Sequence, residues 1–229
     1  MDIATVSLLQ ITDSSFPTGA FAHSWGLETY VSEGLVNDMD SLYEFIESFI
    51  LYTTARLDAA SVKLAHEYTR KKEISSLCRL DRIIHTMKFP SEVRQGSIQT
   101  GRQLLRLINE LKREEAILQT FSDKVQRRAA VGHHSVVYGL VCNTLKIPKS
   151  EAILAYLYST VSSLVGAALR LLPIGHTEGQ KIIERIKPLL VNTVEIVLKV
   201  NINELTGFSP GIDIRAMRHE RLYTRLFRS

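Results

Sequence analysis

Apolar residues return at spacings of three and four along most of this chain. Leu42, Phe45, Ile46, Phe49, Ile50, Thr53, Leu57, Ala60 and Leu64 fall on one face, which predicts a helix running to about Tyr68. Asp38 or Asp40 is its expected cap. Upstream, Ile3, Val6, Leu9 and Ile11 mark a short helical face, and a second segment resumes at Gly26 and fades at Gly34. Downstream, Leu77, Leu80, Ile84 and Met87 mark a helix that Pro90 ends, with Ser91 as cap of the next, near residues 91 to 112. That next helix carries Gln95, Ser97, Gln99 and Thr100 beside Gly96 and Gly101. Two accounts stand for it: close packing or a wet interface, or an ordinary helix with two weak positions. Further helices are expected over about 114 to 127, over HHSVVYGLVCNTL, and from Gln180 to Val200, with a kink or break at Pro188. LKVNIN is the nearest approach to a strand, and it is short.

One stretch organises the rest. From Ala152 to Leu169 no residue carries a charge. Ser150 is the expected cap, and Arg170 and Pro173 close the end, proline having no amide hydrogen to donate. A helix apolar on nearly all faces belongs in a bilayer or at the centre of a bundle. Ser159, Thr160, Ser162 and Ser163 interrupt the apolar surface, and Tyr156 and Tyr158 sit in its body. Gly166, Ala167 and Ala168 offer a smooth patch for a close neighbour. The reading is a buried central helix, with Gly175 to Gly179 as the turn that follows. The fold class is all-α, a single-domain bundle of about nine or ten helices.

Composition narrows the function classes. The formal charge of +4 is mild and both signs are interspersed, unlike a general nucleic-acid binder. Cys78 and Cys142 sit among apolar residues and form no CxxC pair, which suggests buried thiols in a reducing compartment. Asp2 and the lack of a basic start argue against a secretory signal. A soluble cytoplasmic protein, with no membrane and no nucleic-acid partner, is expected.

Catalytic and metal signatures are missing by spacing: no phosphate loop, no GxGxxG after a strand, no HExxH helix and no GxSxG elbow. His133 and His134 are adjacent, and helical neighbours point about 100° apart, so they cannot chelate one ion side by side. His176 near Glu178 and His219 beside Glu220 offer ligands to others from elsewhere, or serve structure. Asp13, His23 and Ser24 lack the spacing of a nucleophilic set. No catalytic residue, cofactor or metal site is assigned. A helical metal-binding protein or small helical enzyme using His133, His134, His176 and His219 stands as the alternative to a binding or scaffolding module.

Three stretches are more specific. They are DSSFPTGAFAHSWGLE (13 to 28), GHHSVVYGLV (132 to 141) with AALRLLPIGHTEGQ (167 to 180), and MRHERLYTRLFRS (217 to 229). Together they resemble the UreF family of urease accessory proteins, whose members share D-S-x-x-P-x-G-x-[FY]-x-H-S-x-G-L-E, R-L-x-P-[LI]-G-x-[TS]-x-x-Q and H-E-x-x-Y-x-R-L-F-x-S in that order. Trp25 departs from the pattern, where a small residue is usual. The resemblance spans the chain. It implies an all-α domain over 1–229 that is not an enzyme and works as a nickel-delivery chaperone subunit. Its implied partners are the UreD/UreH scaffold, the nickel-carrying GTPase UreG, apo-urease and a second copy of itself. Regulation of GTP hydrolysis is a further implied role.

The tail adds a physical reading. Arg215, Arg218, Arg221, Arg225 and Arg228 alternate with Met217, Leu222, Leu226 and Phe227, a poor isolated helix that orders against an apolar groove with acidic groups. Residues 205–229 are expected to depend on a partner. Tyr223, Leu226 and Phe227 are candidate anchors and Arg225 the oriented polar contact, alongside His219 and Glu220. At the other end, Pro17, Phe21 and His23 form either a partner surface near the tail or a structural loop, with Asp13 and Ser14 capping and Gly19 turning. Arg170 is expected semi-buried, structural or interfacial. Donation of an arginine to the GTPase is a lesser alternative.

Overall fold

The computed structural model describes residues 2–13, 15–19 and 22–228. These are helical, with no strand among them. The elements are α1 (Ile3–Thr12), α2 (Leu27–Ser32), α3 (Met39–Ser48), a π-helical segment (Phe49–Ala59), α4 (Ala60–Arg70), α5 (Ile74–Met87), α6 (Ser91–Leu111), α7 (Ala116–Gln126), α8 (His134–Thr144), α9 (Lys149–Leu171), α10 (His176–Val197) and α11 (Pro210–His219), with a 3₁₀ turn at Ile202–Glu204. Because α3, the π segment and α4 form one continuous rod, the eleven α-helices make ten rods among the described residues. LKVNIN is the turn after α10 and the start of that 3₁₀ turn, not a strand.

The long helix expected from residue 38 onward is present, but its middle is wound wider than an α-helix. The periodicity places Thr53 on the core face. The structure buries Thr54, at 2% exposure, and leaves Thr53 half-buried. Asp38 is the cap, in a reciprocal box in which its carboxylate accepts from Ser41 N at 2.8 Å.

The buried centre lies where α4, α6, α8 and α9 meet. α9 packs on α1, α2, α3, the π segment, α4, α8 and α10. Among the described residues it alone is long and apolar enough to cross a membrane by length and composition, and most of its apolar window is buried within the bundle. Its burial is incomplete: Leu154 (38%) and Tyr158 (44%) are exposed, and Arg170 lies on the same i, i+4 line. Of the expected smooth patch, Ala167 and Ala168 are buried, while Gly166 has nothing within 4 Å of where a Cβ would stand.

The close approaches occur at other glycines. A Cβ on Gly139 would meet Val62 O at 2.3 Å and Ala65 Cβ at 2.8 Å, so α8 crosses α4 backbone to side chain. A Cβ on Gly101 would meet Gly132 O at 2.3 Å, and one on Gly96 would meet the His23 ring at 2.7 Å. The two glycines of α6 are packing sites. Gly179 is another: it lies inside α10, not in a turn, and its missing Cβ makes room for Val165. α10 also runs through Pro188 without a break. The expected serine caps fail for one reason. Pro90 and Pro148 occupy the N-cap positions, which leaves Ser91 and Ser150 inside their helices. Cys78 and Cys142 are buried and free.

Candidate functional site: a C-terminal clasp

Gly26 opens α2 with φ of 92°, a left-handed conformation that costs glycine little. Ala216 of α11 packs beside it, 3.5 Å from where a Cβ would stand, an ordinary contact distance, so the backbone conformation and not crowding calls for glycine here. Trp25, with φ of 54°, enters the same region without that freedom and stacks on His23 at 5.0 Å.

Glu28, two residues on, is buried at 6% exposure. Its Oε1 accepts from Leu226 N at 2.7 Å, and its Oε2 from Phe227 N at 3.1 Å and His219 Nε2 at 2.9 Å. The other nitrogen of His219, Nδ1, lies 2.6 Å from Glu92 Oε2, whose Oε1 accepts from Arg225 at 2.8 Å. His219 is fully buried. The ring thus bridges the two carboxylates, and Arg225 pairs with the outer one.

The rest of the tail is held at its margins. Arg215 and Arg218 share Glu33 at 2.8 and 2.9 Å, and together they hold its carboxyl below the usual range. Ser91 donates to Glu220 at 2.5 Å, and Arg228 N to Ala22 O at 2.8 Å. The Arg170 guanidinium lies 5.4 Å from the Phe227 ring centre. The groove and acidic groups that the tail was expected to seek in a partner are therefore supplied here by α2 and α6 of the same chain.

This placement divides the candidate residues. Phe227 is buried at 5% exposure against the chain's own core, whereas Tyr223 is fully exposed and Leu226 is 69% exposed. Phe227 thus anchors the tail inward while Tyr223 and Leu226 face out. Arg225 points to Glu92 and Glu220 to Ser91. Arg170 is exposed, not semi-buried, and covers Phe227. His23 is no surface residue: it is 4% exposed under the tail. Burial, with Arg228 nearby, pushes its imidazole down to about 4. Pro17 is exposed in a separate groove with Val6, Leu9, Phe16 and Leu107. Phe21 and Ser14 lie outside the described residues. Asp13 ends α1 and folds back on Ser15 N at 2.6 Å, and Gly19 turns at φ of 82°.

Sequence reasoning missed Glu28, Glu33 and Glu92. Glu28 closes the first stretch, so a signal was present there. Glu92 carried none beyond its place in a helix's first turn.

The histidines part company. His133 Nδ1 lies 3.1 Å from Ser97 Oγ and its Nε2 lies 3.2 Å from His85 Nδ1. Its backbone N–H donates to Asp81, which also accepts from Val131 and Gly132. His134 instead packs on Tyr138 and Tyr156. Burial pushes it down to about 4, with Asp58 pulling the other way. His176 is exposed at the start of α10. Among the described residues, no group of three or more His, Cys, Asp or Glu is arranged to hold a metal ion.

The fold and this site define an all-helical bundle closed by a charged clasp that joins its two ends. Comparison with known proteins gives the family. Residues 36–187 match the model of the UreF family. The chain is similar to the urease accessory protein UreF of Bacillus sp. (strain TB-90), 38% identical over 224 residues and 98% of each chain. It is 31% identical over the whole of both chains to that of Lachnoclostridium phytofermentans, and 31% identical over 98% of this chain and 97% of the relative to that of Paenarthrobacter aurescens. The chain belongs to the UreF family of urease accessory proteins.

Proposed function

We propose that this chain acts by protein contacts, not as an enzyme, as the cytoplasmic UreF-type subunit of a nickel-delivery assembly. In this reading it binds a UreD/UreH-like scaffold, pairs with a second copy within the complex, and recruits a UreG-like GTPase. The assembly then inserts nickel into apo-urease, and the chain regulates GTP hydrolysis in it. The observation that carries the reading is the clasp. It fixes a basic tail in place by Phe227 and the His219 cluster, and leaves Tyr223 and Leu226 facing out. An exposed tyrosine is among the usual anchors of an interface, and Leu226 extends the apolar surface beside it.

Size-exclusion with light scattering tests it, on the full chain, a form lacking residues 217–229, and Tyr223→Ala/Leu226→Ala, each mixed with scaffold and GTPase. The full chain is expected to assemble and the truncated form to fail. The double variant is expected to bind the scaffold at least about tenfold more weakly, the loss of one modest anchor. Unchanged assembly by the double variant overturns the role of the tail. GTP hydrolysis unaffected by Arg170→Ala and Arg225→Ala, each alone, disposes of arginine donation. The second reading, a metal protein built on His133, His134, His176 and His219, finds those residues in different surroundings. Tight stoichiometric nickel binding that is lost on histidine replacement would favour it.

A further inference from the structure

The π-helical segment borders a cavity of mixed lining, with Trp25, Phe49 and Tyr156 beside its polar groups. The cavity, of about 90 Å3, is lined by Thr54 and Asp58 of the π segment, Ser159 and Ser163 of α9, and His134 of α8; Ile212 and Ala216 of α11 cover it. Asp58 is 8% exposed. Its Oδ2 pairs with Lys88 Nζ at 2.7 Å, while its Oδ1 is buried without a partner among the described residues. Ser159 Oγ is buried in the same condition. A buried acceptor left unbonded costs its full desolvation and is rare in native proteins. Two such groups on the walls of one cavity point to a shared guest.

Size and charge say what the guest is. At about 30 Å3 per molecule in the liquid, the space fits roughly three waters. Asp58 and Lys88 cancel, and the buried His134 imidazole is neutral, so the walls call for an uncharged guest. It must donate to Asp58 Oδ1, and both donate and accept along a row of hydroxyls. Water meets all of these conditions.

We propose that this cavity is a hydration site holding about three ordered waters, one of which donates to Asp58 Oδ1 and connects it to Ser159 Oγ. The waters form a polar floor beneath α11, and the Thr53 Oγ1–Ser209 Oγ hydrogen bond of 2.7 Å ties the segment just before α11 to the π segment. The π winding then has a physical use. Departures of this kind recur where a helix must present side chains that regular winding would turn away. Here it brings Thr54 and Asp58 to the cavity.

A high-resolution crystal structure of the full chain, with water relaxation dispersion in solution, tests this. The expected result is two to four discrete waters in the cavity, one within hydrogen-bond distance of Asp58 Oδ1, and a matching population of long-lived waters in solution. Ser159→Leu, which fills the space, is expected to abolish that population. Should it not fold, Ser163→Val is expected to lose at least one of the waters. Density from a larger solute, a protein group bonded to Asp58 Oδ1, or a long-lived population untouched by the folded variant overturns the proposal.

Discussion

Two of this molecule's helix crossings, at Gly139 and at Gly26, are held by opposite means. At Gly139, α8 crosses α4 so closely that a Cβ would lie 2.3 Å from a backbone oxygen, and the surroundings are Val62, Ala65 and other buried apolar groups. At Gly26, where a Cβ would stand 3.5 Å from Ala216, α11 crosses the start of α2, and what holds it is polar: Glu28 and Glu92 with His219 and Arg225. The first contact has no polar alternative in water, so it opens only when the bundle unfolds. The second has one. Each charge of the clasp regains hydration on release, so it can open while the bundle persists.

The largest effect should come from breaking the first contact. Gly139→Ala forces a methyl group against the Val62 carbonyl, a backbone atom that cannot swing aside. Overpacking of this kind costs about 1–3 kcal/mol, and a backbone oxygen in the way puts this site at the upper end. The urea midpoint is expected to fall with an unchanged slope. An unchanged midpoint would show that α4 and α8 slide freely, and the distinction between the contacts would lose its firmer side.

A second effect of similar size appears with pH, again in the core. His134 is held near 4 by burial against an ordinary value of 6.5. The folded chain therefore refuses a proton that the unfolded chain accepts. Its contribution is fully present above pH 6.5 and is lost as pH falls from 6.5 toward 4, about 3 kcal/mol over the window. His23, also lowered to about 4 by burial, acts in the same direction. Denaturation followed between pH 7 and pH 4 should show falling stability, and His134→Gln should reduce the slope by about one proton. A slope that the variant leaves unchanged would mean that the ring finds water in the folded state.

How far the sequence disclosed each region follows from the same contrast. The core was legible because apolar burial repeats with helical period: Leu42, Phe45, Ile46 and Ile50 are buried as their spacing required. It failed where geometry departs from that period. The π segment exchanged Thr53 for Thr54, and Gly179 looked like a turn because its use, room for Val165, belongs to another helix. The clasp was legible only as three unusual stretches. Composition told that the tail needs acidic groups and a groove. It could not tell that Glu28 and Glu92, some hundred and more residues upstream, supply them, since ion pairs between distant segments leave no periodic trace. Phe227 was therefore read as facing a partner when it faces the chain's own core.

The smallest change in global stability should come from the clasp itself. His219→Ala leaves Glu28 and Glu92 near each other without the ring between them, and an unpaired buried charge commonly costs about 3–5 kcal/mol. That cost is not realised if the segment can leave. Once the free energy of holding Glu28 beside Glu92 without the ring exceeds that of undocking, α11 and the tail release and the carboxylates take up water. The loss is then capped at the undocking free energy. Hydrogen exchange separates the two outcomes. Amides of residues 210 to 228 should exchange at least about tenfold faster, equal to about 1.4 kcal/mol of lost protection, while those of α8 and the urea midpoint stay in place. If α8 amides accelerate in step with the tail, then clasp and crossing belong to one cooperative unit, and the end of this chain is no more releasable than its centre.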